Sequence, residues 1–281
     1  MSQSDKPVAD TRSPRRSLLA FGAAIPIGTL GGLIGLGGAE FRLPVLAGPL
    51  GYKVHQAVPL NLAVSLITVT TSLIIRGWTL SYEPLAPYLP AIAALITGAV
   101  IMAYVGATLA RRISAEQLER AVLVLLLIIG AALIVEGFLP QAIPALLPSS
   151  VSWHVVAGVL FGMAIGLVSS LLGVAGGEII IPTLIFAYGV DVKTAGTASL
   201  LISLPTIATG LWRYARQGAF ADRQALTETV APMGVGSVIG AIIGGLLVGL
   251  VPAAVLKVGL GIILIISAYR IFGHRRQPAI H

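Results

Sequence analysis

The 281-residue sequence predicts an all-α integral membrane protein. It is read as two inverted-topology repeats of about five helical segments each, with interrupted or re-entrant helices at glycine-rich breaks. Three observations carry this. Hydrophobic residues make up 56% of the chain and charged residues only 10%, where a soluble domain carries roughly 25% charged. The Lys and Arg residues sit in short loops and tails between apolar runs. One pattern also occurs twice: Gly35, Gly38, Glu40 and Pro44 are followed by Gly173, Gly176, Glu178 and Pro182 at a constant separation (178 − 40 = 138).

The elements follow in order. Residues 1–17 are polar and basic, a cytoplasmic tail. Arg15-Arg16 before an apolar run resembles an export signal, but that run belongs to the first repeat and reads as a positive-inside anchor. The first repeat, 18–139, holds apolar segments Leu18–Leu36, a short Phe41–Leu50, Ala57–Ile75, Leu85–Ala110 and Ala121–Leu139. A span needs near 20 residues, so Phe41–Leu50 is too short to cross as a helix. Residues 140–152, with three prolines and no charge, link the halves. The second repeat, 153–273, holds Val155–Leu172, a short Ile179–Tyr188, Ala195–Leu211, Thr229–Leu250 and Ala253–Phe272, and 274–281 form a second tail. The same offset matches Ser65 with Ser203, Thr68 with Thr206, Gly98 with Gly236 and Gly106 with Gly244.

Charge chooses the orientation. If each repeat crosses an odd number of times and the N-terminus is inside, 14 of the 18 Lys and Arg residues fall on the inner side; an even count gives 11. Inverted repeats with both termini cytoplasmic in the plasma membrane follow. The net charge of +7 is therefore an orientation signal, and no nucleic-acid partner is expected.

The breaks are the chemical feature. Backbone N–H groups of Gly38, Ala39, Gly176 and Gly177 precede the short segments, where a helix N-terminus favours an anion. Pro44 and Pro182 are expected in the first turn or so of the short helices, where a proline leaves fewer N–H groups unpaired in lipid. Glu40 and Glu178 are carboxylates in apolar sequence, costly in lipid, and candidates to carry a coupling proton. Their structural alternative is capping the short helix, or pairing Glu40 with Arg42. Asn61, Ser65 and Thr68 share one helix face, and Ser199, Ser203 and Thr206 repeat it. They would line a pathway for a small oxyanion, or hydrogen-bond between helices. Arg42, His55, Arg76 and Arg213 would funnel anions or anchor at the interface. There is no phosphate-loop lysine, no HExxH, no metal-ligand spacing and no nucleophile elbow, and Cys is absent, so no cofactor, metal or enzymatic activity is expected.

The duplicated pattern of glycine cluster, paired glycine, apolar run and proline resembles the TauE/SafE sulfite exporter family, also called the 4-toluene sulfonate uptake permease family. The resemblance covers roughly 21–272. Ala175 stands where the family often has Gly. Ala39 stands where a third glycine is usual, and Arg42 where an apolar residue is usual. The resemblance implies export or uptake of sulfite, sulfonates or related anions, driven by an ion gradient. The expected protein is a secondary transporter of small sulfur-containing anions that alternates access around the two breaks. The bilayer and the anion are its partners, and a homo-oligomer is possible. A cation carrier built on Glu40 and Glu178, or a non-transporting scaffold, are the alternatives.

Overall fold

The computed structural model describes residues 14–109, 115–139, 144–148, 150–172 and 176–273. The terminal tails to residue 13 and from residue 274, much of the linker, and Gly173 to Ala175 of the second motif lie outside the described residues. Among those described there are only helices: α1 (Pro14–Ile34), α2 (Ala39–Ala47), α3 (Val54–Thr79), a 3₁₀ turn (Glu83–Tyr88), α4 (Leu89–Leu109), α5 (Ala115–Phe138), α6 (Val151–Leu172), α7 (Gly177–Tyr188), α8 (Val192–Arg216), α9 (Arg223–Ala225), a π turn (Leu226–Val230), α10 (Ala231–Leu247) and α11 (Ala253–Gly273). Among the described residues, six helices are long and apolar enough to cross a membrane. Leu89, Ile128, Leu160 and Val255 are among the large apolar side chains facing outward, as lipid contact requires.

Element starts repeat at the sequence offset: Ala39 and Gly177, Val54 and Val192, Ala115 and Ala253 are each 138 apart (177 − 39, 192 − 54, 253 − 115). The first segment starts earlier than its apolar run, with Pro14 to Ser17 of the expected tail already helical.

The short helices fold back along their predecessors. α1 stops where Gly35, Gly37 and Gly38 take positive φ (96°, 78° and 73°), and Gly176 repeats Gly38 with φ 79°. A side chain at either of the two equivalent positions would strain the backbone, so glycine is required there. Gly38 then lies beside Ile27, partway back down α1. The loop after α2 returns to the start of α1, where Arg16 donates to the Leu50 carbonyl at 2.7 Å and its guanidinium lies over the Tyr52 ring. The second repeat does the same. Gly176 lies beside Ile165, and Tyr188 donates to the His154 carbonyl at 3.1 Å. Each of α2 and α7 is thus the returning arm of a hairpin. This corrects one expectation: Pro44 and Pro182 are the sixth residues of their helices, in the second turn. The helices begin directly after the left-handed glycines, so each proline withholds the N–H that would bond the carbonyl four residues back, at Glu40 and Glu178.

Long helices pack through small residues. Gly236, Gly240 and Gly244 of α10 meet the carbonyls of Phe21, Ile25 and Thr29 of α1, and Gly158, Gly162 and Gly166 of α6 meet those of Ala91, Leu95 and Ala99 of α4. Contacts climb together in both pairs, so the paired helices are parallel. Each repeat lends its first helix to the fourth helix of the other. Equivalent helices run antiparallel: α3 and α8 meet at Arg76 with Thr197 and, further along, at Leu62 with Gly210. α5 and α11 meet at Gly130 with Gly261 and at Gly137 with Ala254. Lys257 and Glu136 form an ion pair at 2.7 Å in that seam.

Candidate site between the two breaks

The fold brings the two breaks into contact. A Cβ on Gly177 would lie 3.0 Å from Leu36 Cα, and one on Gly35 would lie 2.3 Å from the Gly196 carbonyl oxygen at the start of α8. Gly38, Ala39, Gly176 and Gly177 are buried around this junction. Gly38 and Gly176 are the N-cap residues, and neither short helix has a side-chain cap. Glu40 and Glu178 therefore do not occupy the capping position; each is the second residue of its helix, within electrostatic range of the other. Glu178 is 5% exposed, and Oε1 of Glu40 is buried without a hydrogen-bond partner among the described residues.

Arg42, one turn into α2, is fully buried. Its guanidinium turns to the polar face of α3. Nη1 donates to Ser65 Oγ at 2.9 Å and lies 3.4 and 3.5 Å from the Asn61 carbonyl and Oδ1. Nη2 donates to Thr68 Oγ1 at 3.0 Å and to the Gly37 carbonyl inside the break. Thr68 passes its own proton to the Val64 carbonyl at 2.9 Å, and the Asn61 amide donates to the Ala39 carbonyl at 2.9 Å. Among the described residues no carboxylate is hydrogen-bonded to Arg42. Its hydrogen-bond partners are thus all neutral oxygens, and the nearest opposite charge in electrostatic range is Glu40 on the same short helix.

The second repeat has the same face without the cation, since Ile180 stands at the Arg42 position (180 − 42 = 138). Ser199, Ser203 and Thr206 are buried there. Oγ of Ser199 has no hydrogen-bond partner among the described residues, and Thr206 donates to the Ile202 carbonyl at 2.8 Å.

The remaining candidates lie apart from this junction in role or place. Arg76 is fully buried near the end of α3. It donates to the Gly32 and Leu33 carbonyls of α1 at 3.0 and 2.8 Å, and to the Lys193 carbonyl and Thr197 Oγ1 of α8 at 3.2 and 2.9 Å. It ties the end of α1 to the start of α8. Arg213 sits at the end of α8, donating to the Tyr104 carbonyl at 3.3 Å. Tyr104 and Trp212 stack nearby, and Arg213, Arg216 and Gln217 line a shallow pocket with them. The side chain of His55 lies outside what the structure describes. The sequence offered Arg42 as an anion-funnelling residue or a partner of Glu40; the structure sets its guanidinium among five neutral oxygens. It also passed over Ser72 and Ser237, both fully buried with unpartnered hydroxyls among the described residues.

No group of three or more His, Cys, Asp or Glu residues able to hold a metal occurs among the described residues. No curated relative and no solved structure matches the chain. A family model described as sulfite exporter TauE/SafE matches residues 2–133 and 158–280. With nearly the whole length matched, a duplicated glycine break and membrane-capable helices, the chain belongs to the TauE/SafE sulfite exporter family.

Proposed function

We propose that the protein is a secondary carrier of small sulfur-containing oxyanions, with sulfite and short organosulfonates as the substrate class. The observation that carries this is Arg42, a buried guanidinium beside the apposed breaks whose hydrogen-bond partners are all neutral. The family description supplies the chemistry of the cargo. In this reading the backbone of Gly38, Ala39, Gly176 and Gly177, with Asn61, Ser65, Ser199 and Ser203, meets the oxyanion, and Glu40 or Glu178 carries a coupling proton. The antiparallel run of equivalent helices supports inverted repeats, and so alternating access by rocking one repeat against the other. Both termini then lie on the cytoplasmic side of the plasma membrane.

The test is thermal unfolding of the purified protein with sulfite, sulfate, a short alkylsulfonate and a carboxylate, each at two pH values. A ligand at a hundred times its Kd stabilises by about 2.7 kcal/mol. Selective stabilisation by sulfur oxyanions that changes with pH is expected. No shift with any anion, together with a shift from divalent cations, would overturn the reading and make the two glutamates cation ligands.

A further inference from the structure

We infer that the Arg42 guanidinium occupies a monovalent-cation cage, as a tethered cation standing where a diffusible one would otherwise bind. Five oxygens surround it: the carbonyls of Gly37 and Asn61, Asn61 Oδ1, Ser65 Oγ and Thr68 Oγ1. None is charged. Two are main-chain carbonyls, one of them freed by the break after α1. Unwound backbone carbonyls at helix breaks are how discontinuous transporter helices hold a small cation, and here hydroxyl and amide oxygens of α3 join one such carbonyl. Thr68 can only accept toward the cage, because its proton is on the Val64 carbonyl. The cluster is therefore an acceptor set. As it faces the guanidinium, it is complementary to a positive charge.

The duplication supports the same conclusion. The second repeat builds the equivalent polar face from Ser199, Ser203 and Thr206, and places Ile180, 1% exposed, where the first has Arg42. The two halves thus differ by one tethered charge at matched positions. A guanidinium on a three-carbon stem carries its charge permanently. A carrier so equipped needs no sodium or potassium in this cage. The inference goes beyond the substrate assignment and does not depend on which anion is carried.

The experiment compares the full chain with Arg42→Gly in detergent, by thermal unfolding at constant ionic strength, in choline, sodium, potassium and millimolar guanidinium chloride. The native protein is expected to show no preference among these salts. R42G is expected to melt lower in choline and to regain at least half of the loss, saturably, with guanidinium or with one of the alkali cations. A folded R42G whose melting is the same in all four salts overturns the inference. Should R42G not fold in any of them, Arg42→Lys and Arg42→Gln decide. The cage predicts that R42K, which keeps a cation, melts well above R42Q, which keeps donors without charge. R42Q equal to R42K, or both equal to the native protein, would show that charge is not what the cluster holds, and would overturn it as well.

Discussion

Arg76 shows what a single residue can do that its position in the sequence does not disclose. An arginine near the end of an apolar run looks like an interfacial anchor. Three of its partners are backbone carbonyls 43, 44 and 117 residues away in the chain, which no side chain announces, and the fourth is the Thr197 hydroxyl. The last turn of α1 leaves carbonyls without intrahelical donors, and in lipid no water replaces them. Arg76 supplies three nitrogens in a fixed fork, so one side chain serves α1 and α8 together. Hydrogen bonds to charged groups are worth more than neutral ones, so Arg76→Ala is expected to destabilise by about 2–4 kcal/mol, read as a fall in melting temperature. Arg76→Lys should recover less than half, because an ammonium cannot span the Gly32, Leu33 and Thr197 acceptors at once. A lysine variant as stable as the native protein would reduce the residue to a bare charge. Glu40 and Glu178, by contrast, were legible from sequence as carboxylates inside apolar sequence; Glu178 is buried and Glu40 half-buried with its Oε1 enclosed.

At the scale of elements, the sequence located the ten apolar segments with ends within six residues of the helix ends and identified the two short ones, because length and hydropathy decide both. It left the path of the short segments open, and the structure resolves that path as hairpins. The deciding contacts, Arg16 with Leu50 and His154 with Tyr188, join ends that are 34 residues apart, beyond the reach of periodicity. The glycines divide in a way that spacing suggested only in part. Gly240 lies against the backbone of α1, where an added Cβ would be 2.2 Å from the Ile25 carbonyl oxygen, whereas Gly22 and Gly259 have nothing within 4 Å. A methyl group at 240 must push two helices apart, since its obstacle is backbone and cannot rotate away. Gly240→Ala is therefore expected to cost about 1–3 kcal/mol. Gly22→Ala on the same helix pair should be neutral or slightly stabilising, because alanine is the better helix former. Equal melting temperatures for the two variants would mean that α1 and α10 do not pack through this seam.

At the scale of the whole molecule, the halves are interleaved. α1 pairs with α10 and α6 with α4, so neither repeat has its own complete set of neighbours, and the junction of the breaks exists only when both are folded together. The antiparallel run of α3 against α8 gives this arrangement a consequence that can be measured. If the repeats are inverted, residues 138 apart lie on opposite faces of the membrane; if they are parallel, on the same face. The chain has no cysteine, so single thiols can be introduced without background. Ser81 follows α3 and Ala219 follows α8, and 219 − 81 is 138. α3 starts beside the α1 N-terminal end and finishes at Arg76, next to the carbonyls that end α1, so Ser81 lies at the end of the bundle away from Arg16. α8 runs the other way and delivers Ala219, with Arg213 and Arg216 before it, to the end that carries Arg16. With the basic end inside, Ser81→Cys in whole cells should react with a membrane-impermeant maleimide added outside, and Ala219→Cys should react only after the membrane is opened. Labelling of both from the same face would exclude inverted repeats and, with them, the rocking motion around the two breaks.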